Sequence, residues 1–212
     1  ITSDDLPKTT SGTDVVYTTT SNTANGDSFT FKVNDGTVDS DAATVTINIT
    51  LVNEKPVATA QTVEATEQTA KEITLAGTDA EGATLTYSIV DQPSNGTVSL
   101  DGNTATYTST SDTATSDSFT FKVNDGSSDS DAATVTINIT AVNDAPTATA
   151  QTVDATEDEA KTITLAGTDA DGDTITYIVA SLPSEGTLTD NGTAITSDDL
   201  PKTTSGTDVV YT

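Results

Sequence analysis

A fixed offset of ninety residues runs through this chain. SFTFKVNDG stands at 28–36 and again at 118–126, and DSDAATVTINIT stands at 39–50 and again at 129–140. The same offset relates NEKPVATAQTVEATEQTAKEITLAGTDAEG at 53–82 to NDAPTATAQTVDATEDEAKTITLAGTDADG at 143–172. Self-similarity at one period marks a tandem array of small structural repeats. It argues for a strut and against a single catalytic domain.

A second repetition sets the domain boundaries. ITSDDLPKTTSGTDVVYT occupies 1–18 and recurs unchanged at 195–212. Joining 143–212 to 19–52 makes one complete repeat, longer than the central one at 53–142. The expected organisation is therefore the C-terminal half of a long repeat at 1–52, a complete short repeat at 53–142, and the N-terminal half of the next long repeat at 143–212. The pattern predicts a window on a longer array in which long and short repeats alternate.

Each repeat reads as short strands. Val45, Ile47 and Ile49 alternate with Thr44, Thr46 and Asn48, and Val135, Ile137 and Ile139 do the same. Phe29, Phe31 and Val33 share one face, as do Phe119, Phe121 and Val123. Period two with one apolar face is the mark of a half-buried antiparallel strand. About seven strands are predicted in the short repeat, at 57–64, 71–76, 83–90, 96–100, 104–108, 117–124 and 132–141. Asp-Gly and Asn-Gly dipeptides supply the turns. Seven short strands in a repeat of this length predict an all-β immunoglobulin-like sandwich. With four Phe, five Tyr and no Trp, the core is thin, and a domain this small is marginal alone.

Charge excludes several partners. The chain has 33 acidic residues, seven basic residues that are all lysine, and a formal net charge of −26. It repels nucleic acid and anionic membranes. It has no Cys and no His, so disulfides and thiolate or imidazole metal sites are absent. No segment is long and apolar enough to insert in a membrane.

Alternating strand direction sorts the acids to the ends of the repeats. Glu64, Glu67, Asp112 and Asp117 are expected at the bottom of the short repeat. Asn143 and Asp144 come from the linker, and Asp169, Asp171 and Asp173 from the top of the next repeat. So many carboxylates at one junction repel one another, and no arginine or histidine can neutralise them. A hard divalent cation resolves this. Calcium takes six to eight oxygens in flexible geometry, whereas magnesium keeps its waters and demands an octahedron. A second, weaker junction is expected at Asn53, Glu54, Asp79 and Glu81, where the short repeat has Ala83 in place of Asp173. Glu157, Asp158 and Glu159 make the bottom of the long repeat the more acidic one.

VNDAP at 142–146, TEDE at 156–159, TLAGTDADGDTITY at 164–177, GTL at 186–188 and DSFTFKVNDG at 117–126 together resemble the cadherin-like tandem repeats of large bacterial surface adhesins and biofilm proteins. The resemblance covers essentially the whole chain. It implies a β-sandwich, Ca2+ at or near the junctions, and a spacer or adhesive stalk secreted to the bacterial cell surface. TDAEGA and NEKP in the short repeat depart from the pattern.

The functional expectation is a calcium-stiffened extracellular stalk or fibre that serves adhesion by extension. Its partners would be neighbouring repeats or identical chains, and a polysaccharide or a cell surface reached through other domains. One alternative is a carbohydrate-binding module, but Tyr87, Tyr107, Tyr177, Phe119 and Phe121 all fall on inward strand faces and read as core. Another is a filament subunit whose half-domains at 1–52 and 143–212 complete one another head to tail. An enzyme is not expected, because no His or Cys can serve as base or nucleophile. Asn48, Asn95, Asn138 and Asn191 begin N-x-Thr triplets that read as chance in a Thr-rich chain, and Lys32 and Lys122 are candidates for isopeptide crosslinks.

Overall fold

The structure, a computed structural model, describes residues 12–212. The part of the expected first half-repeat at 1–11, including most of the first copy of the duplicated segment, lies outside the described residues. The chain divides into two compact units. Of the described residues, the first comprises those up to Thr59 with Leu75–Ser88 and Phe121–Ala133, and the second Ala60–Thr74, Ile89–Thr120 and Thr134–Thr212.

The first repeated segment is a hairpin of β1 (Gly26–Phe31) and β2 (Ala43–Asn48). They pair antiparallel from Gly26 opposite Asn48 to Phe31 opposite Ala43. The central repeat contains β3 (Val57–Ala58), β4 (Gln61–Thr66), β5 (Lys71–Thr74), β6 (Gly77–Thr78), β7 (Thr86–Asp91), β8 (Gly96–Asp101), β9 (Thr104–Ser109), β10 (Ser116–Asn124) and β11 (Ala133–Thr140). One sheet has the order β4-β11-β10-β7 and the other β5-β9-β8, with β3 and β6 as a separate pair. This is the expected all-β sandwich with one correction. The predicted first strand, 57–64, is split, because Val57–Ala58 pairs with Gly77–Thr78, just beyond the predicted second strand, while Gln61–Thr66 pairs parallel with β11.

Alternation builds the core. In β11 the pattern is buried at Val135 and Ile137 and exposed between them. In the first compact unit Leu75, Phe121 and Val123 are buried, and the rings of Tyr87 and Phe121 stack with centroids 6.5 Å apart. In the second unit Ile73, Tyr107, Phe119, Val135 and Ile137 are buried. Each large side chain so buried contributes about 1.5–3 kcal/mol. Gly96 is required by one close approach: a Cβ there would lie 2.5 Å from the Thr108 carbonyl oxygen and 2.6 Å from the Tyr107 ring.

The aromatic residues expected in the core follow this pattern. Tyr107, Phe119 and Phe121 are fully buried, and Tyr87 and Tyr177 are half-buried. Phe29 and Phe31, the counterparts of Phe119 and Phe121, are 37% and 45% exposed.

The last repeat has β12 (Thr147–Ala148), β13 (Lys161–Thr164), β14 (Gly167–Thr168), β15 (Ile178–Val179), β16 (Leu188–Asp190), β17 (Thr193–Ala194), β18 (Lys202–Thr203) and β19 (Asp208–Tyr211). β12 pairs with β14 as β3 does with β6. β13 pairs with β19 as β5 does with β9. The residues that make this repeat longer form β17, a single 3-10 turn at Ser197–Asp199, and β18. β17 pairs with β16, and β18 pairs with β15. Among the described residues no helix is long and apolar enough to cross a membrane.

Candidate metal centre

The inward face of β4 continues past its end. Ala65 is buried, and two residues on, Glu67 is 1% exposed. Period two therefore drives a carboxylate inward where an apolar residue belongs. The Glu67 N–H donates to the Thr140 carbonyl at 3.1 Å, which fixes the backbone there. Both carboxylate oxygens of Glu67 are buried and have no hydrogen-bond partner.

The linker and the following acidic turn come to the same place within the second compact unit. Carboxylate oxygens of Glu67, Asp144 and Asp171 lie within 4.8 Å of one another, as do those of Asp169, Asp171 and Asp173. The turn folds locally: the Asp173 N–H donates to Asp169 Oδ1 at 3.0 Å, and Gly172 takes the left-handed conformation at φ +78° that the reversal requires. The Asp144 N–H donates to Asp171 Oδ2 at 2.7 Å, tying linker to turn. Asp171 Oδ1 is buried without a partner. Asn143 donates from Nδ2 to the Asp144 carbonyl at 2.9 Å. Asp112, Asn143, Asp171 and Asp173 line an open hollow of about 430 Å³.

Two predicted residues stand apart from this group. Glu64 lies on the exposed face of β4, where Oε1 accepts from Asn138 Nδ2 at 2.7 Å. Asp117 is a brace in the sandwich. Its carboxylate accepts from the Ser94 and Asn95 N–H groups, each at 3.0 Å, and from the Tyr107 hydroxyl at 3.0 Å. Burial, then the adjacent Asp117 carboxylate, pushes the Tyr107 phenol up to about 12. The sequence reading missed Gln68. Its Nε2 donates to Asp144 Oδ2 at 2.9 Å and to Asp112 Oδ1 at 3.3 Å. A lone amide in a turn gives no pattern to find.

The weaker junction has the same wiring within the first compact unit. Glu81 Oε2 accepts from the Glu54 N–H at 2.9 Å, and Asp79 Oδ1 from the Ala83 N–H at 2.8 Å. Asp79 Oδ2 and Glu81 Oε1 are buried without partners. Here Asn22 donates to Glu54 Oε1 at 3.2 Å and Lys55 pairs with Asp131 at 2.6 Å. Asn53 Nδ2 donates to Asp125 Oδ2 at 2.9 Å. Asp125 is held well below the usual carboxylate range, chiefly by the Ser128 N–H and then by Asn53.

The donor set at Glu67, Asp144 and Asp171 is entirely hard oxygen, and three of its buried oxygens lack hydrogen-bond partners. Like charges about 5 Å apart repel by on the order of 3 kcal/mol per pair at an effective dielectric of ~20. The residues therefore fit a hard divalent cation, and calcium before magnesium.

Fold and wiring define a class: tandem immunoglobulin-like β-sandwich repeats. The chain belongs to the bacterial Ig domain family, whose model matches residues 53–138 and 143–212. No curated protein sequence matches it. Among solved structures it is similar to an endo-fucoidan hydrolase from glycoside hydrolase family 107, at 28% identity over 57% of this chain and 19% of that one, with a TM-score of 0.35. It is also similar to the protocadherin GammaB4 extracellular domain, at 15% identity over 87% of this chain and 34% of that one, with a TM-score of 0.46. A third likeness is to the surface layer protein SbsC, at 17% identity over 88% of this chain and 30% of that one, with a TM-score of 0.30. The chain thus spans 19% to 34% of each of these proteins, and the family match alone places it.

Proposed function

We propose that this chain is a segment of an extracellular bacterial stalk or fibre that calcium stiffens, serving adhesion or biofilm formation by extension. Glu67, Asp144 and Asp171 would hold the ion, with Asp169 and Asp173 completing the set. A second and weaker ion would sit at Asp79 and Glu81 with Glu54. The bound cation would supply positive charge to carboxylates that otherwise repel. The chain's own part is positional. Strand register turns Glu67 inward, the Asp144 N–H holds Asp171, and Gln68 holds Asp144.

One observation carries the reading: a glutamate buried to 1% exposure with both oxygens unpartnered, beside two aspartates. A buried unpaired carboxylate is destabilising unless something compensates it. Extracellular modules bind calcium at ~10⁻⁴–10⁻³ M, so the stalk would be stiff in calcium-rich fluid and looser without it. Small-angle scattering in calcium and in chelator tests this. The expected result is a longer maximum dimension in calcium; superimposable profiles would contradict it.

A further inference from the structure

Each linker acid is anchored twice. Its main chain is tied to the acidic turn that follows: the Asp144 N–H donates to Asp171 Oδ2 at 2.7 Å, and the Glu54 N–H donates to Glu81 Oε2 at 2.9 Å. Its carboxylate is held by an amide that precedes the linker. Gln68 Nε2 donates to Asp144 Oδ2 at 2.9 Å, and Asn22 Nδ2 donates to Glu54 Oε1 at 3.2 Å. Glu54 stands where Asp144 does under the ninety-residue offset, but Asn22 does not stand where Gln68 does. Asn22 is the counterpart of Asp112, and the counterpart of Gln68 is Asp158. The two turns are nevertheless built alike. Gln68 and Asp158 are both left-handed, at φ 55° and 63°, and the Thr69 and Glu159 N–H groups donate to the Thr66 and Thr156 carbonyls. Amide and acid have therefore exchanged places on a common backbone: Gln68 with Asp112 in one copy, Asp158 with Asn22 in the other.

We propose that this amide is the positioning residue of each junction, latching the linker carboxylate in place before the ion arrives, and that either of the two positions can supply it. A carboxylate can only accept, whereas an amide NH2 donates without carrying charge. Among so many acids a second carboxylate at Gln68 would add repulsion, and a lysine would bring a charge that competes with the cation. Gln68 also reaches Asp112 Oδ1 at 3.3 Å, so the acid of the exchanged pair steadies the amide. Holding a ligand in its bound position lowers the ordering cost of binding, which is how partners outside the ligand set tune metal affinity. The effect on affinity rests on the calcium reading above; the hydrogen bond does not.

The chain's own exchange supplies the test. Gln68→Ala removes the latch, and Asp112→Asn added to it places at 112 the residue that stands at 22. In chelator, exchange of the Asp144 amide hydrogen should be roughly fivefold faster in Gln68→Ala, the loss of one hydrogen bond, and should return toward the parent rate in the double variant. In calcium, calorimetry should show binding about tenfold weaker in Gln68→Ala. The double variant should recover to within about threefold of the parent although it has one carboxylate fewer. Equal exchange rates in all three proteins overturn the latch, and so does a defect that Asp112→Asn leaves unrepaired. Calcium affinity unmoved by Gln68→Ala overturns the positioning role. A parent that binds no calcium sinks the calcium reading instead, and the rates in chelator then decide the latch by themselves. Gln68 is exposed, so its truncation should leave the fold intact, which circular dichroism of each variant checks.

Discussion

Glu67 and Asp171 reach one another across the linker, each with buried carboxylate oxygen that no hydrogen bond satisfies. Such a pair is unstable by itself and stable around a cation, so its energetics should change sign with metal. In chelator, Glu67→Gln removes a buried charge and should stabilise the chain by about 1–3 kcal/mol. In saturating calcium the same variant should be the less stable one. Thermal melts of both proteins in both buffers check this, and a variant that is less stable in both would contradict it.

Tyr107 and Asp117 make a different kind of pair. The tyrosine is 0% exposed, and its phenol is raised from 10.0 to about 12 by burial and by Asp117. The folded state thus holds the proton more tightly than the unfolded state. Stability from this group is full below pH 10.0 and is lost as pH rises toward about 12. Tyr107→Phe should lower stability by about 1–2 kcal/mol at neutral pH, through the lost donor to a buried carboxylate. It should also flatten the alkaline limb. Urea midpoints from neutral to alkaline pH give both numbers.

Asp35 shows the opposite sign. A hydrogen bond from the Thr37 hydroxyl, with the Val38 and Thr37 N–H groups, lowers it from 3.8 to about 2. Asp125, in the matching loop, is lowered as well. The stabilisation is present above pH 3.8 and lost as pH falls toward about 2. Asp35→Asn and Asp125→Asn together should flatten the acid limb of the stability curve. Unchanged slopes in denaturation below pH 3.8 would count against the loop hydrogen bonds.

The two copies of one sequence should differ in energy. Phe121→Ala removes a fully buried ring and should cost about 3–5 kcal/mol. Phe31→Ala, at 45% exposure, should cost under ~1 kcal/mol in dilute solution where chains do not associate. Denaturant melts of the two variants decide the point, and equal losses would mean that both rings are packed alike.

Much of this was legible because period two is rigid. Phe119, Phe121 and Val123 alternate inward in β10, and Val135, Ile137 and Ile139 do so in β11. The same rule sorts the acids of the first strand: 65 and 67 face in, so 64 faces out, which is where Glu64 lies. It also sets Asp117 on the inward face with Phe119, where donors from Ser94, Asn95, Tyr107 and Ser118 use it up. The split of the first strand at Thr59–Ala60 was not legible, because it depends on which partner each half finds across the sandwich. Nor were the amides of Gln68 and Asn22, since one side chain in a loop leaves no periodic trace.

The most direct test of the central claim is calcium titration of the chain by calorimetry, beside Glu67→Gln and Asp171→Asn. Saturable binding near ~10⁻⁴–10⁻³ M, with one class of site lost in each variant, is the predicted outcome. Heat signals that never saturate, or that are the same in all three proteins, would contradict it.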